Sequence, residues 1–98
     1  MRAEGVTADA EAKVTVRNKQ GLHARPSSVI AQTAIGFKDT EITLAKGTHA
    51  VDAKSVMELI LLEAHHGTEL TLRAKGPRAA EAVAAIEALF ERQFDIRY

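Results

Sequence analysis

A chain of 98 residues is long enough for one domain with a buried core and leaves no room for two. Its 13 basic and 13 acidic residues give no net charge, which argues against binding to nucleic acid through a basic excess. The absence of cysteine excludes disulfide bonds, cysteine-ligated zinc and thiol catalysis, and no apolar run reaches the roughly 18 residues of a transmembrane helix. We therefore expect a small cytoplasmic domain without membrane insertion.

The beginning of the chain shows where regular structure starts. Residues 1–11 have no hydrophobic periodicity, and we interpret them as a flexible leader ahead of a single domain at residues 12–98. Ala12–Arg17 alternates between apolar and polar side chains, which predicts a half-buried strand. Asn18 to Gly21 holds residues typical of a turn.

A helical period replaces the alternation from Ala24 to about Gly36. Pro26 falls in the first turn of this helix, where its missing N–H costs nothing. Two alternating stretches follow, Glu41–Lys46 and Thr48–Val51, and a Lys-Gly turn joins them. This pattern predicts a hairpin.

A second helix is predicted from the spacing of Ser55 and Glu58, which is that of a capping box ahead of an apolar run. We expect this helix to extend to His65 or His66, where Gly67 ends it.

The last third of the chain predicts a strand at Glu69–Ala74 and a final helix opened by Gly76-Pro77. The apolar face of that helix contains Ala79, Val83, Ile86, Leu89 and Phe90. Phe94, Ile96 and Tyr98 alternate in a short tail that the pattern does not assign. The order β-α-β-β-α-β-α, with one apolar face on each element, predicts an α+β fold, an open-faced β-sandwich with three helices on one face of one sheet.

The segment Gly21-Leu22-His23-Ala24-Arg25-Pro26 joins the first strand to the first helix and carries the residues best suited to chemistry. The first turn of a helix has unpaired N–H groups and a partial positive charge, so it favours anions. Arg25 adds a planar guanidinium suited to phosphate. These charges would stabilise a phosphoryl group after its transfer to His23. Chemistry alone allows either a nucleophilic histidine or a polar helix cap.

This six-residue segment resembles the active-site signature of the HPr family, the histidine-containing phosphocarrier proteins of the bacterial phosphoenolpyruvate-dependent sugar phosphotransferase system. Lys54-Ser55-Val56-Met57 resembles the start of the family's second helix, and Gly67-Thr68-Glu69-Leu70 resembles the approach to its fourth strand. The resemblance extends from about Ala12 to Phe90. It implies a four-stranded antiparallel sheet in the order 1-4-2-3, covered on one face by three helices.

The resemblance also implies a function. His23 would accept a phosphoryl group on Nδ1, and Arg25 would stabilise that group. Enzyme I would be the donor and a IIA domain of the phosphotransferase system the acceptor. The chain would be a stoichiometric carrier and not an enzyme; we expect a monomer that needs no cofactor.

Ser55 has two interpretations. It is expected to cap the second helix, and in many members of the family the matching serine is a regulatory site modified by an HPr kinase/phosphorylase, which would then be a further partner. Glu58 departs from the family pattern, in which many members have Gly at this position. A carboxylate so close to a phosphoserine would oppose the modification by charge repulsion.

The second helix is apolar around most of its circumference, so part of it should be exposed and available to a partner. We assign Leu59 and Leu62 to the core. The expected partner-binding surface contains, around His23 and Arg25, residues Gly21, Ala24, Pro26, Ser27, Val56, Met57 and Ile60.

Alternatives to a sugar phosphocarrier remain open. The domain could be a regulatory binding module controlled through Ser55, although the presence of His23, Arg25 and Pro26 together argues against this. It could also be a nitrogen-type carrier that uses the same histidine to signal. No metal site is expected, because the histidines outside the loop lack the i, i+4 spacing of a helical metal-binding pair. These are His49, His65 and His66.

Overall fold

The computed structural model describes residues 8–95. It contains four strands, three helices and a final turn: β1 (Ala10–Thr15), α1 (Ala24–Ile35), β2 (Glu41–Lys46), β3 (His49–Asp52), α2 (Val56–Leu61), β4 (Glu69–Lys75), α3 (Ala79–Glu91) and a 3-10 turn at Gln93–Asp95. This order confirms the element sequence predicted from hydrophobic periodicity.

The four strands form one antiparallel sheet in the order β1-β4-β2-β3. This confirms the strand order implied by the family resemblance. One row across the sheet shows the register: Ala12 of β1 lies opposite Leu72 of β4, Leu72 lies opposite Leu44 of β2, and Leu44 lies opposite Val51 of β3. Because side chains alternate across a strand, this register collects the apolar residues of all four strands on one face.

The helices cover that apolar face and leave the other face exposed. α3 packs against β1 and β4, and α1 contacts both α2 and α3. On the opposite face the Arg73 guanidinium lies 3.0 Å from the Glu11 carboxylate, and both side chains are well exposed. The open-faced sandwich predicted from the sequence is therefore confirmed, with its core between the sheet and the helices.

The first strand begins earlier than predicted. Ala10 pairs with Ala74 of β4, and the N–H of Asp9 donates to the Ala74 carbonyl at 2.8 Å. The carboxylate of Asp9 in turn accepts from the N–H of Gly76 at 2.8 Å. The strand predicted to start at Ala12 therefore starts two residues earlier, where small alanines alternate with Asp9 and Glu11 and give only a weak hydrophobic signal. Residues 1–7 lie outside the described part of the chain.

The second helix ends sooner than predicted, at Leu61 instead of His65 or His66. Glu63 has a left-handed backbone with φ +56°, which ends the helical path. The next residue, Ala64, accepts a hydrogen bond from the N–H of Leu22 at 2.9 Å. The backbone beyond α2 thus contacts the loop before α1.

The third helix buries the face expected from its sequence: Ala79, Val83, Ile86, Leu89 and Phe90. Beyond it, the ring of Phe94 packs edge-on against Phe90 with 5.0 Å between centroids. The tail after α3 therefore returns to the core at Phe94, whereas Ile96 and Tyr98 lie outside the described residues.

The start of α3 is tied to the end of α1. Arg78 precedes α3, lies 4.6 Å from the centroid of the Phe37 ring and donates two hydrogen bonds to Glu81, at 3.1 and 3.0 Å. These hydrogen bonds, and then the positive charge, hold the pKa of the Glu81 carboxyl below its ordinary value. Nearby, the buried hydroxyl of Thr40 donates to the Pro77 carbonyl. These contacts lie at the C-terminal end of α1.

Leu72→Ala and Leu61→Ala make the same chemical change at a buried and an exposed position. Leu72 is 0% exposed, whereas Leu61 is 67% exposed. We expect Leu72→Ala to lower the free energy of unfolding by about 2–5 kcal/mol and Leu61→Ala to change it by less than about 0.5 kcal/mol. Urea denaturation followed by circular dichroism measures both; equal losses would contradict this placement of the core.

Candidate functional site

His23 occupies the N-cap position of α1. Its backbone is extended, with φ −79° and ψ −167°, and its carbonyl accepts the first helical hydrogen bond, from the N–H of Ser27 at 3.1 Å. The side chain is partly exposed, and Ala24 and Arg25 beside it are exposed. The first turn of α1 contains no acidic residue. The predicted nucleophile therefore lies at the positive end of a helix, beside a cationic side chain.

The loop before His23 is held against the segment that follows α2. Gly21 has φ +73°, and a Cβ atom added to it would lie 2.6 Å from the carbonyl oxygen of Ala64. The N–H of Leu22 donates to that same oxygen. Only glycine allows the two backbones to approach this closely. The residue before His23 is thus bonded directly to the chain beyond α2.

Two buried polar side chains support the loop from inside. The Asn18 side-chain amide donates to the Gly21 carbonyl, and the Ser27 hydroxyl donates to the Leu22 carbonyl at 3.2 Å. Both side chains are 0% exposed. The sequence pattern predicts only a turn at Asn18, and polar residues in turns are usually exposed, so the pattern gives no signal for its burial.

Part of the predicted partner-binding surface is wrong. Gly21 in the loop, and Pro26 and Ser27 in the first turn of α1, are buried. Their role is to shape the site, because a buried side chain has no surface to offer a partner. His23, Ala24 and Arg25 remain accessible at the start of α1.

The second helix presents an apolar surface. Met57 and Leu61 are 65% and 67% exposed, and Val56 and Ile60 are partly exposed. We call Val56, Met57, Ile60 and Leu61 the α2 patch. Leu61 is absent from the predicted surface, although its i+4 spacing from Met57 places both on one side of the helix. The core assignment of Leu59 and Leu62 is confirmed, since both are buried.

The α2 patch ends near the histidine loop. Ala64, which bonds to Leu22, lies three residues beyond Leu61, the last residue of α2. This backbone bond therefore joins the loop before α1 to the segment after α2.

Ser55 caps α2 as predicted, and its hydroxyl accepts from the N–H of Glu58 at 3.2 Å. The capping box also predicts that the Glu58 carboxylate accepts from the N–H of Ser55, and this part of the prediction is wrong. The Glu58 carboxylate accepts from the N–H of Asp52 at 2.9 Å, while the N–H of Ser55 donates to the Asp52 carbonyl at 3.0 Å. The Nζ of Lys54 donates to the Phe37 carbonyl at 2.9 Å. The serine thus lies between acidic residues, and the neighbouring lysine is directed towards the end of α1.

Metal-ligating side chains are not clustered in residues 8–95: no group of three His, Cys, Asp or Glu could hold an ion there. His65 and His66 are exposed beyond α2. Across the same residues, no helix is both long enough and apolar enough to span a bilayer.

Gly21→Ala and Gly47→Ala distinguish two effects on stability. Both place a Cβ on a residue with positive φ, but only Gly21→Ala also forces the Cβ against another part of the backbone. Both glycines have positive φ, +73° and +62°, but a Cβ at Gly47 meets nothing within 4 Å. We expect Gly47→Ala to lower the free energy of unfolding by about 1–2 kcal/mol and Gly21→Ala to lower it by about 1–3 kcal/mol more. Urea denaturation measures both. Equal losses would mean that the Gly21 backbone does not lie against Ala64.

Comparison with known proteins identifies the family. The family model described as the PTS HPr component phosphorylation site matches residues 10–92. A phosphocarrier protein HPr from Treponema pallidum is 43% identical over 82 residues, which cover 84% of this chain and 92% of that protein. A phosphocarrier protein NPr from Shewanella violacea is 44% identical over 85 residues, 87% of this chain and 92% of that one. The crystal structure of HPr from Thermoanaerobacter tengcongensis superposes with a TM-score of 0.85 at 35% identity, covering 91% of this chain and 99% of that chain. The chain therefore belongs to the HPr family of phosphocarrier proteins of the phosphotransferase system.

Proposed function

We propose that this protein receives a phosphoryl group from phospho-enzyme I on Nδ1 of His23 and passes it to a IIA domain. The strongest support is the position of His23, partly exposed at the N-cap of a helix of 12 residues whose first turn has no acidic side chain. An anionic group on this ring would face a positive helix end and the Arg25 side chain.

The chemistry needs little from the protein beyond position and charge. The bond between phosphorus and the donor breaks as the bond between phosphorus and the imidazole nitrogen forms, and the second transfer reverses these roles. Within the first turn, Pro26 has no N–H and that of Ser27 donates to the His23 carbonyl. The N–H groups of Ala24 and Arg25 are therefore the ones we assign to the phosphoryl oxygens, together with the Arg25 guanidinium.

Docking of the two partners is assigned to the α2 patch and the start of α1. One small carrier has to bind a donor and an acceptor of different structure. Met57 suits such a surface, because an unbranched thioether side chain repacks against unlike partners. The Leu22 to Ala64 bond keeps the α2 patch beside His23, so that docking and transfer use the same side of the protein.

Regulation through Ser55 is less well supported than the carrier role. Its hydroxyl is engaged as a helix cap, and the carboxylates of Glu58 and Asp52 would repel a phosphate there. Lys54, whose Nζ donates to the Phe37 carbonyl, does not offset them. We therefore propose a stoichiometric cytoplasmic carrier over a regulatory module or an enzyme. Relatives named HPr and NPr match this chain at similar identity, 43% and 44%, so the proposal leaves sugar-type and nitrogen-type systems open.

Intact mass spectrometry tests the phosphoryl acceptor. Incubation with phosphoenolpyruvate and a bacterial enzyme I should add one phosphoryl group, and brief acid treatment should remove it, because a phosphoramidate bond is acid-labile. His23→Ala should gain no mass while keeping the circular dichroism of the folded domain, since His23 lies at the surface. His66→Ala, at an exposed histidine elsewhere, should behave like the wild type.

The acceptor assignment fails if His23→Ala still gains an acid-labile phosphoryl group, or if wild-type protein gains none from an enzyme I shown to be active. An acid-stable addition on Ser55, introduced by a serine kinase and not by enzyme I, would favour the regulatory module instead.

Arg25→Glu tests the electrostatic part of the site. We expect the rate of transfer from phospho-enzyme I to fall by at least about tenfold, since a stabilising charge is replaced by a repulsive one. Lys38→Glu makes the same charge change beyond the other end of α1, at an exposed side chain, and should leave the rate within about twofold. Equal effects of the two variants in a rapid-quench assay would show that net charge alone matters and would remove Arg25 from the mechanism.

A further inference from the structure

Asn18 is a buried polar residue that the proposed mechanism does not use. It lies five residues before His23, just beyond β1, and its side chain is 0% exposed. Its own carbonyl accepts from the N–H of Gly21 at 3.2 Å, and its side-chain amide donates to the Gly21 carbonyl. One residue therefore binds both backbone polar groups of Gly21.

The two residues that lead into His23 have every backbone polar group bonded. Asn18 binds the N–H and the carbonyl of Gly21, Ala64 accepts from the N–H of Leu22, and the Ser27 hydroxyl donates to the Leu22 carbonyl. The peptide group between Gly21 and Leu22 is consequently held from both sides, its carbonyl by Asn18 and its N–H by Ala64. Rotation of this peptide, and with it reorientation of His23, would break both bonds.

The position of Asn18 is itself fixed by the sheet. The N–H of Val16, two residues earlier, donates to the Thr68 carbonyl at 2.9 Å, and the Val16 carbonyl accepts from the N–H of Gly67 at 2.7 Å. Val16 is fully buried. The Asn18 amide thus links the loop that carries the histidine to the end of β1, which is itself bonded to the segment before β4.

We propose that Asn18 is a positioning residue for His23: its buried amide fixes the Gly21–Leu22 peptide and so sets the orientation in which the imidazole meets the phosphoryl group. The expected effect on the transfer rate rests on the proposed function of His23, whereas the expected effect on the Gly21–Leu22 peptide does not. A misplacement of the reacting group of about 1 Å is enough to slow a transfer by about 100-fold.

The other role open to a buried asparagine is to stabilise the fold, and the structure argues against it. The Asn18 Oδ1 is buried and has no hydrogen-bond partner among the described residues. A buried acceptor without a partner costs stability, which offsets the gain from the amide donor. Replacement by leucine, which has the same branched shape but more bulk, removes the unpartnered oxygen and leaves the Gly21 carbonyl without its side-chain donor, so one unsatisfied group replaces another. Stability and transfer rate should therefore respond differently to Asn18→Leu.

The experiment compares Asn18→Leu with Thr40→Val. Thr40 is equally buried and its hydroxyl also donates to a backbone carbonyl, that of Pro77, but it lies beyond the far end of α1. A helix of 12 residues spans about 18 Å, so this control removes a comparable bond away from His23. Asn18→Ala is measured alongside, since it removes the same bond without adding bulk. The readouts are urea stability, hydrogen exchange at the Leu22 amide, and transfer from phospho-enzyme I over a range of enzyme I concentrations.

We expect both Asn18 variants to speed exchange of the Leu22 amide by at least about tenfold and to lower the maximal transfer rate by at least about tenfold. The half-saturating concentration of enzyme I should stay within about twofold, because the α2 patch is unchanged. Thr40→Val should lower stability yet leave both the Leu22 exchange and the maximal rate at the wild-type values.

If Asn18 only stabilises the fold, the result is different. The Asn18 variants then have a smaller folded fraction and a changed half-saturating concentration of enzyme I, but each folded molecule keeps the wild-type maximal rate. That pattern would overturn the proposal, as would wild-type Leu22 exchange in both Asn18 variants or the failure of both to fold. If wild-type protein accepts no phosphoryl group, the proposed function fails. The Leu22 exchange would still decide whether Asn18 fixes the loop.

Discussion

The hydrogen bond from the N–H of Leu22 to the carbonyl of Ala64 is the contact on which the position of the loop before His23 depends. It joins the loop before α1 to the segment after α2, two parts of the chain that are distant in sequence. The bond is possible only because Gly21 lets the two backbones approach, since a Cβ there would lie 2.6 Å from the same oxygen.

The sheet explains why these segments meet. In the order β1-β4-β2-β3, the end of β1 lies beside the start of β4, and Thr15 is paired with Glu69. The loop that leaves β1 towards α1 and the loop that arrives at β4 from α2 therefore share one edge of the domain. Any helix start offers a partial positive charge, but the sheet decides that the start of α1 lies beside the segment that follows α2.

Two buried polar side chains bind the backbone of the loop before His23. The side chain of Asn18 donates to the Gly21 carbonyl, and that of Ser27 donates to the Leu22 carbonyl. The Asn18 Oδ1 has no partner among the described residues. An apolar side chain at position 18 would remove the unpartnered oxygen but would leave the buried Gly21 carbonyl without its side-chain donor, so an unsatisfied group would remain.

What the sequence determined by itself was local. Strand alternation, helical periodicity and the segment from Gly21 to Pro26 were sufficient to predict the order of the elements and to place His23 at a helix start, because these depend on residues close together in the chain. The burial of Pro26 and Ser27, the early end of α2 and the role of Asn18 were decided only by the tertiary structure. The side-chain hydrogen bonds of Asn18 and Ser27 are local, but their burial depends on how distant segments pack over them, and hydrophobic periodicity holds no information about that packing.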